Sequence, residues 1–223
     1  SLLRTSLMPG QLKIISYNQS HRIKKLKFFE IGHVYLPSED NQLLPDEREY
    51  LSISIAGGDA TEIVAILDMI SLTMAFPNMQ LKQQEIEGLH PGRSAQVFVA
   101  GQERGAVGEV DPRVLRNYGI DDSVAWLELD LGSILAGPFG KKKYTSVSKY
   151  PSSDIDLAFE VPDDTSSASV AGCLRKAGGT YLKEVQLFDS YKADTANEGV
   201  RSLAYSLRFQ SDEGTLTDAE VSE

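Results

Sequence analysis

The 223 residues hold one cysteine, Cys173, one tryptophan, Trp126, and three histidines, His21, His33 and His90. A single cysteine cannot close a disulfide within the chain or build a cysteine-ligated zinc site. No apolar run approaches the ~20 residues that span a bilayer, and no basic-then-apolar leader is readable, so the expectation is a cytoplasmic protein. The histidines have no partner at metal-ligand spacing, and His33, inside an apolar strand, reads as a core histidine. A nucleophile elbow, a phosphate-binding P-loop and a dinucleotide fingerprint are all missing. Cys173 has no histidine in its half of the chain to activate it and reads as a structural thiol. The acidic pairs Glu39-Asp40 and Asp46-Glu47 flank Pro45 and read as a solvated loop. No catalytic or metal-binding residue emerges, and an autonomous hydrolase or transferase is disfavoured.

Positive charge is also scarce, and unevenly so. Residues 1–149 carry 16 Lys+Arg against 18 Asp+Glu, whereas residues 150–223 carry 6 against 14, a net of −8 out of −10 for the chain. Such a surface repels phosphate and argues against nonspecific nucleic-acid binding by the second part. Between them lies Gly137-Pro138-Phe139-Gly140 followed by Lys141, Lys142 and Lys143. Glycine, proline and a like-charge run mark a linker, and the domain boundary is expected near 140–150, giving domains 1–145 and 146–223.

Periodicity then supplies the elements. After Pro9-Gly10, Leu12, Ile14, Ile15 and Tyr17 give a helix over 11–20. Leu26 to Leu36 is so uniformly apolar that a strand buried on both faces is expected. In Tyr50–Ile55, Leu51, Ile53 and Ile55 alternate with Ser52 and Ser54. Ile63, Ile66, Leu67 and Ile70 form one face of a helix over 60–73. Strands follow around 95–100, 105–110 and 124–131, with a helical turn over 112–117. Mixed α+β with a largely antiparallel sheet is the fold class. Beyond the linker come a strand at 155–161, a helix capped by Asp164 or Thr165 and ended by Gly178-Gly179, a strand over 181–191 and another over 203–209. Thr217, with Glu220 three residues on, starts a further helix as in a capping box. That order, β-α-β-β-α, is one strand short of a ferredoxin-like unit. A chain that opens without methionine at Ser1 and stops at the start of a helix is expected to be a piece of a longer protein.

Four ordered stretches carry a resemblance. They are Leu3-Arg4-Thr5-Ser6-Leu7-Met8-Pro9-Gly10; Phe28-Phe29-Glu30-Ile31-Gly32-His33-Val34-Tyr35; Leu89-His90-Pro91-Gly92-Arg93-Ser94-Ala95 with Gly105 to Pro112; and Leu187-Phe188-Asp189-Ser190-Tyr191 with Ser202 to Tyr205 and Thr215 to Asp218. In this order they resemble the C-terminal third of the β subunit of bacterial phenylalanyl-tRNA synthetase. The resemblance implies a class II synthetase-like antiparallel sheet domain that is not itself catalytic, then a ferredoxin-fold anticodon-binding domain that is incomplete at its C-terminus. It implies a partner α subunit in an (αβ)₂ heterotetramer, tRNA(Phe) as the RNA, and ATP and Mg²⁺ for the whole enzyme, with no cofactor in this part. Consistent with inactivity, no arginine stands beside Phe29–Gly32 and no glycine-rich arginine sequence lies in 126–135. Leu3, Leu7, Leu12 and Ile15, in the position of the family's pairing helix, bury an α-subunit interface or fill the domain's own core.

Ferredoxin-like sheets bind RNA by stacking bases on aromatic side chains while cations meet phosphates. The candidates on that basis are Tyr191, Tyr205, Lys192, Arg201 and Arg208, with Lys141–Lys143 at the linker. The segment Pro151-Ser152-Ser153-Asp154 lacks the paired arginines that open this domain in the family, so weak, strongly salt-dependent tRNA affinity is expected. A stand-alone protein-interaction or RNA-binding module without a role in aminoacylation is the alternative.

Overall fold

The computed structural model describes residues 3–38, 44–77, 79–137, 148–191, 199–217 and 220–221. The chain divides into two compact units, Ser1–Lys143 and Tyr144–Glu223. Among the described residues no helix is long and apolar enough to cross a membrane.

Unit 1 is a six-stranded antiparallel sheet with helices on both faces. In chain order it comprises α1 (Met8–Ser20), β1 (Leu26–Leu36), β2 (Asp46–Ala56), α2 (Ala60–Met74), β3 (Gln80–Gln83), β4 (Leu89–Val99), β5 (Gln102–Val110), α3 (Pro112–Asn117), β6 (Val124–Asp130) and α4 (Leu131–Ala136). The strands lie in the order β1-β2-β6-β5-β4-β3. All seven residues of β6 are buried, because it lies inside the sheet and both its faces are covered. On one face Ile63 and Leu67 of α2 and Ile134 of α4 pack with Ile55, Val107, Leu127 and Leu129. On the other, Met8, Leu12 and Ile15 of α1 pack with Ala56, Leu89, Val110, Val124 and Trp126.

The alternation expected in β2 is present, but its serine face does not meet water. Ser52 and Ser54 are both fully buried beneath α1. Buried hydroxyls need partners, and Gln11, itself fully buried, supplies them. Ser54 Oγ donates to Gln11 Oε1 at 2.5 Å, and Gln11 Nε2 donates to the Ser52 carbonyl at 3.2 Å. Ser52 Oγ lies 3.0 Å from both Gln11 Oε1 and the Leu127 carbonyl, with one proton to give.

β1 departs from expectation. It is an edge strand, alternately half-buried and exposed, rather than one buried on both faces. Register places Phe28, Glu30 and Gly32 on the α1 side, opposite Ser54, Ser52 and Tyr50. Phe29 and Ile31 point the other way and remain 68% and 52% exposed. His33 shares that outward face and is exposed, so it is not a core histidine. The apolar text fits two environments, one the core and one open. Likewise β6 stops at Asp130, whose carboxylate accepts from Ser133 N–H at 2.9 Å and begins the short helix α4 inside a largely apolar stretch.

Unit 2 comprises β7 (Ser153–Pro162), α5 (Ser167–Ala177), β8 (Leu182–Tyr191) and β9 (Val200–Phe209), with the antiparallel order β7-β9-β8. Ser166, rather than Asp164 or Thr165, caps α5, because its Oγ accepts from Ser169 N–H at 3.1 Å. Gly178 and Gly179 end the helix, the latter with φ of +65°. Leu203, Tyr205 and Leu207 of β9 form the core with Ala171 of α5. Cys173 is exposed on α5, not buried as a structural thiol would be. Glu220 accepts from both the N–H and the hydroxyl of Thr217, each at 2.8 Å, as the capping signal implied.

Replacing Gln11 with Ala should cost on the order of 2–4 kcal/mol, since it opens a cavity and leaves a buried serine hydroxyl without its acceptor. Urea unfolding of the variant against the parent chain measures it, with Ser54→Ala expected to cost less, about 1 kcal/mol.

Candidate functional site

Unit 1 buries four carboxylates, Glu109, Asp111, Glu128 and Asp130, all between 4% and 8% exposed. Each accepts from the first turn of a helix, where backbone N–H groups lack intrahelical partners and the helix dipole favours negative charge. Glu128 Oε2 takes Leu7 N–H at 2.8 Å and Ser6 Oγ–H at 3.2 Å, holding the start of α1, which has no side-chain cap of its own. Glu109 Oε1 takes Ala60 N–H of α2 at 3.1 Å, and its other oxygen pairs with Arg93 at 3.1 Å. Asp111 takes Arg113 N–H of α3 at 2.7 Å and grips the Arg113 guanidinium, which holds its carboxyl down to about 2. Asp130 serves α4 and faces Arg48 at 3.4 Å. Desolvation pushes Glu128 up to about 7, against the opposing pull of Leu7 N–H, Ser6 and Arg4. None of these roles was read from the sequence, although acids within or just after the apolar stretches 107–110 and 124–131 are the signal for them.

The α1 residues expected at a subunit interface separate. Leu7, Leu12 and Ile15 are between 0% and 1% exposed and fill the unit's own core, so they are not available to another chain. Leu3 is 59% exposed. The outward side of α1 instead presents Ile14 and Tyr17, the latter stacked on His21 with ring centroids 4.4 Å apart. Just beyond, residues 21–27 read His-Arg-Ile-Lys-Lys-Leu-Lys, four cations in seven positions and no acid, a cluster overlooked beside the more conspicuous Lys141–Lys143.

In unit 2 the register settles which expected residues share a surface. Tyr205 is withdrawn from the stacking set. Its ring is 1% exposed under α5, tilted against Phe159, and its hydroxyl donates to the Ser167 carbonyl at 2.8 Å. Arg201 lies on the same helix-covered side and donates to the Thr165 carbonyl at 2.6 Å. The open side carries Asp154, Asp156 and Glu160 of β7, Ser202, Ala204, Ser206 and Arg208 of β9, and Glu184, Gln186, Asp189 and Tyr191 of β8. Among the described residues, five carboxylates thus face one cation. Arg208 is engaged by Asp154 at 2.9 and 3.1 Å and by Glu184 at 3.4 Å, which satisfies the charge expected to meet phosphate. Tyr191 is 62% exposed on this side, opposite Ser202. Lys141, Lys142, Lys143 and Lys192 lie outside the described residues, as do Glu39 and Asp40. Asp46 pairs with Arg48 at 2.7 Å.

A helix-flanked antiparallel sheet is thus followed by a ferredoxin-like unit, the latter matching an anticodon-binding module. Residues 1–131 match the phenylalanyl tRNA synthetase beta chain CLM domain, and residues 148–223 match the ferredoxin-fold anticodon binding domain. The chain belongs to the phenylalanyl-tRNA synthetase β-chain family. It is 35% identical over 223 residues to the phenylalanine–tRNA ligase beta subunit of Clostridium tetani, covering 99% of this chain and 28% of that protein. It is 31% identical to the corresponding subunit of Symbiobacterium thermophilum, covering 99% of this chain and 26% of that one. The chain therefore spans little more than a quarter of the length of these relatives. A crystal structure of pyrrolysyl-tRNA synthetase from Desulfitobacterium hafniense is similar at 19% identity, covering 59% of this chain and 48% of that one, with a TM-score of 0.47.

Glu128 generates a pH prediction. Its folded value lies above that of an unfolded glutamate, so its stabilising contribution is complete below about pH 4.5 and is lost as pH rises through about 7. The parent chain should lose roughly 2–3 kcal/mol from this group across that window. Glu128→Gln keeps an acceptor for Leu7 N–H but cannot ionise, and should flatten that part of the profile in urea unfolding at pH 5, 6, 7 and 8.

Proposed function

We propose that this chain is a non-catalytic part of the β subunit of a phenylalanine–tRNA ligase, in which unit 1 holds the α subunit and unit 2 meets tRNA(Phe) during ATP-dependent aminoacylation in the cytoplasm. The observation that carries this reading is the succession of the two family domains in one chain, aligned along 99% of its length with phenylalanine–tRNA ligase beta subunits. A scaffold role is supported by how unit 1 uses its polar groups. The side of the sheet bearing Ser52, Ser54 and Glu128 is buried beneath α1 and hydrogen-bonded within the unit. Arg48, on the second strand of the β1–β2 hairpin, is held by Asp46 and Asp130. The reading assigns ATP and Mg²⁺ to the α subunit and routes no step through them here.

Association with the α subunit in an (αβ)₂ assembly falls, on this reading, to side chains still exposed on unit 1: Leu3, Ile14 and Tyr17. Apolar and aromatic side chains at 45% to 65% exposure on one helix side and its leading segment are the material from which interface anchors are made. On unit 2, Tyr191 is the aromatic platform for a base, and its acidic surroundings make binding depend on favourable contacts elsewhere.

The test is co-expression with an α subunit. Ile14→Asp combined with Tyr17→Asp should lower co-purification about tenfold or more while the unfolding midpoint of the isolated chain stays put. Leu7→Asp should instead unfold unit 1, having buried an unpaired charge. ATP–pyrophosphate exchange dependent on phenylalanine should appear only when the α subunit is added. Adenylate formation by this chain alone would refute the reading, and full co-purification of the double variant would remove the interface. A chain that binds RNA or protein but neither joins an α subunit nor supports aminoacylation would be the stand-alone module.

A further inference from the structure

We infer that the turn joining α1 to β1, with Arg22, Lys24 and Lys25, is a contact site for the phosphate backbone of RNA on unit 1. The inference rests on the reading that this chain serves a tRNA ligase, and it places an RNA contact outside the anticodon-binding domain. Residues 21–25 are all exposed. In a chain of net charge −10, residues 21–27 carry four cations and no carboxylate. Lys27 is paired with Glu62. Arg22, Lys24 and Lys25 make no ion pair among the described residues, whereas Arg4, Arg48, Arg93, Arg113 and Arg208 are each matched to an acid. Asp122, which reaches this end of α1, instead takes a hydrogen bond from Gln19 at 3.4 Å.

Among the described residues Arg22 is one of three non-glycine residues in the left-handed region, with Ala75 and Ala100, and the one of them that carries a charge. Ile23 N–H donates to the Asn18 carbonyl at 3.0 Å and Arg22 N–H to the Gln19 carbonyl at 2.9 Å, the paired hydrogen bonds of a Schellman ending. In that motif the residue after the C-cap adopts the left-handed conformation, and glycine is its usual occupant. Here an arginine stands there with φ of +67°. Helix termination accounts for the conformation but not for the side chain, since glycine would make the same ending with less strain. A guanidinium held at a position that disfavours its backbone, beside two unpaired lysines, is suited to an anionic ligand. Lysine is depleted from protein–protein interfaces and abundant where proteins meet nucleic-acid backbones, which favours RNA over an acidic protein surface.

The experiment uses the 223-residue chain and a phenylalanine-accepting tRNA, with dissociation constants measured by fluorescence anisotropy from 20 to 200 mM salt. Each lost phosphate contact removes about 0.7–0.9 from the slope of log affinity against log salt. The triple variant Arg22→Gly, Lys24→Ala, Lys25→Ala should therefore lower the slope by about two and weaken low-salt binding about tenfold or more. Its thermal midpoint should be unchanged or higher, because glycine suits the left-handed position. An unchanged slope and affinity in the triple variant, with binding lost in Tyr191→Ala, would overturn the inference and leave the functional reading standing. No binding by the parent chain at 20 mM salt would overturn both. Displacement of the tRNA by polyglutamate at the concentration at which polyuridylate displaces it would also overturn the inference, in favour of an acidic protein partner.

Discussion

The helices of unit 1 hold their positions through buried carboxylates on or beside the sheet's inner strands, each answering the N–H groups that the first turn of a helix leaves open. Glu128 meets α1, Glu109 meets α2, Asp111 meets α3 and Asp130 meets α4. A charge in such a place is costly to desolvate and stays only when it is fully hydrogen-bonded. The helix termini supply those bonds, though at Glu128 desolvation still outweighs them, and each carboxyl group in turn fixes where a helix can begin. Gln11 extends the logic by tying the middle of α1 to Ser52 and Ser54. The helix that presents Ile14 and Tyr17 outward is thus set by polar contacts at its start and centre as well as by Leu12 and Ile15 beneath it.

This arrangement bears on what the sheet can do. Polar side chains on the inner strands of an antiparallel platform can serve a bound ligand or the protein's own backbone, but the same lone pairs cannot serve both. In unit 1 Ser52, Ser54, Glu109, Glu128 and Asp130 serve the unit's own backbone and side chains. A ligand reaching Glu128 or Ser54 would have to displace α1, exposing Leu7, Leu12 and Ile15 together. The reading of unit 1 as a scaffold rests on that competition rather than on any missing motif.

Elements with a single strong periodicity were legible in the sequence: α2, α5, the alternation in β2 and β9, and the β-α-β-β order of unit 2. Those governed by tertiary context were not. Leu26–Leu36 reads as wholly buried because its two faces are equally apolar, and only its place at the sheet edge leaves Phe29, Ile31 and His33 in the open. Ser52 and Ser54 have the look of a solvent face because their acceptor, Gln11, lies some forty residues away. The helix α4 hides in a largely apolar stretch where Asp130 marks its start. At the candidate sites the aromatic and cationic residue types were visible, but strand parity was needed to sort Tyr205 and Arg201 beneath α5 from Tyr191 and Arg208 on the open side. Arg22 was the hardest to see, since its interest lies in a backbone angle.

The open side of unit 2 is bordered by Asp154, Asp156, Glu160, Glu184 and Asp189, with Arg208 already engaged. A polyanion drifting toward this surface is pushed away before it can stack on Tyr191. Only a molecule already tethered at another point, long and rigid enough to reach back, can make the approach favourable. On the reading proposed above, repulsion of this kind would act as a filter, rejecting short or wrongly shaped nucleic acids that an attractive surface would retain.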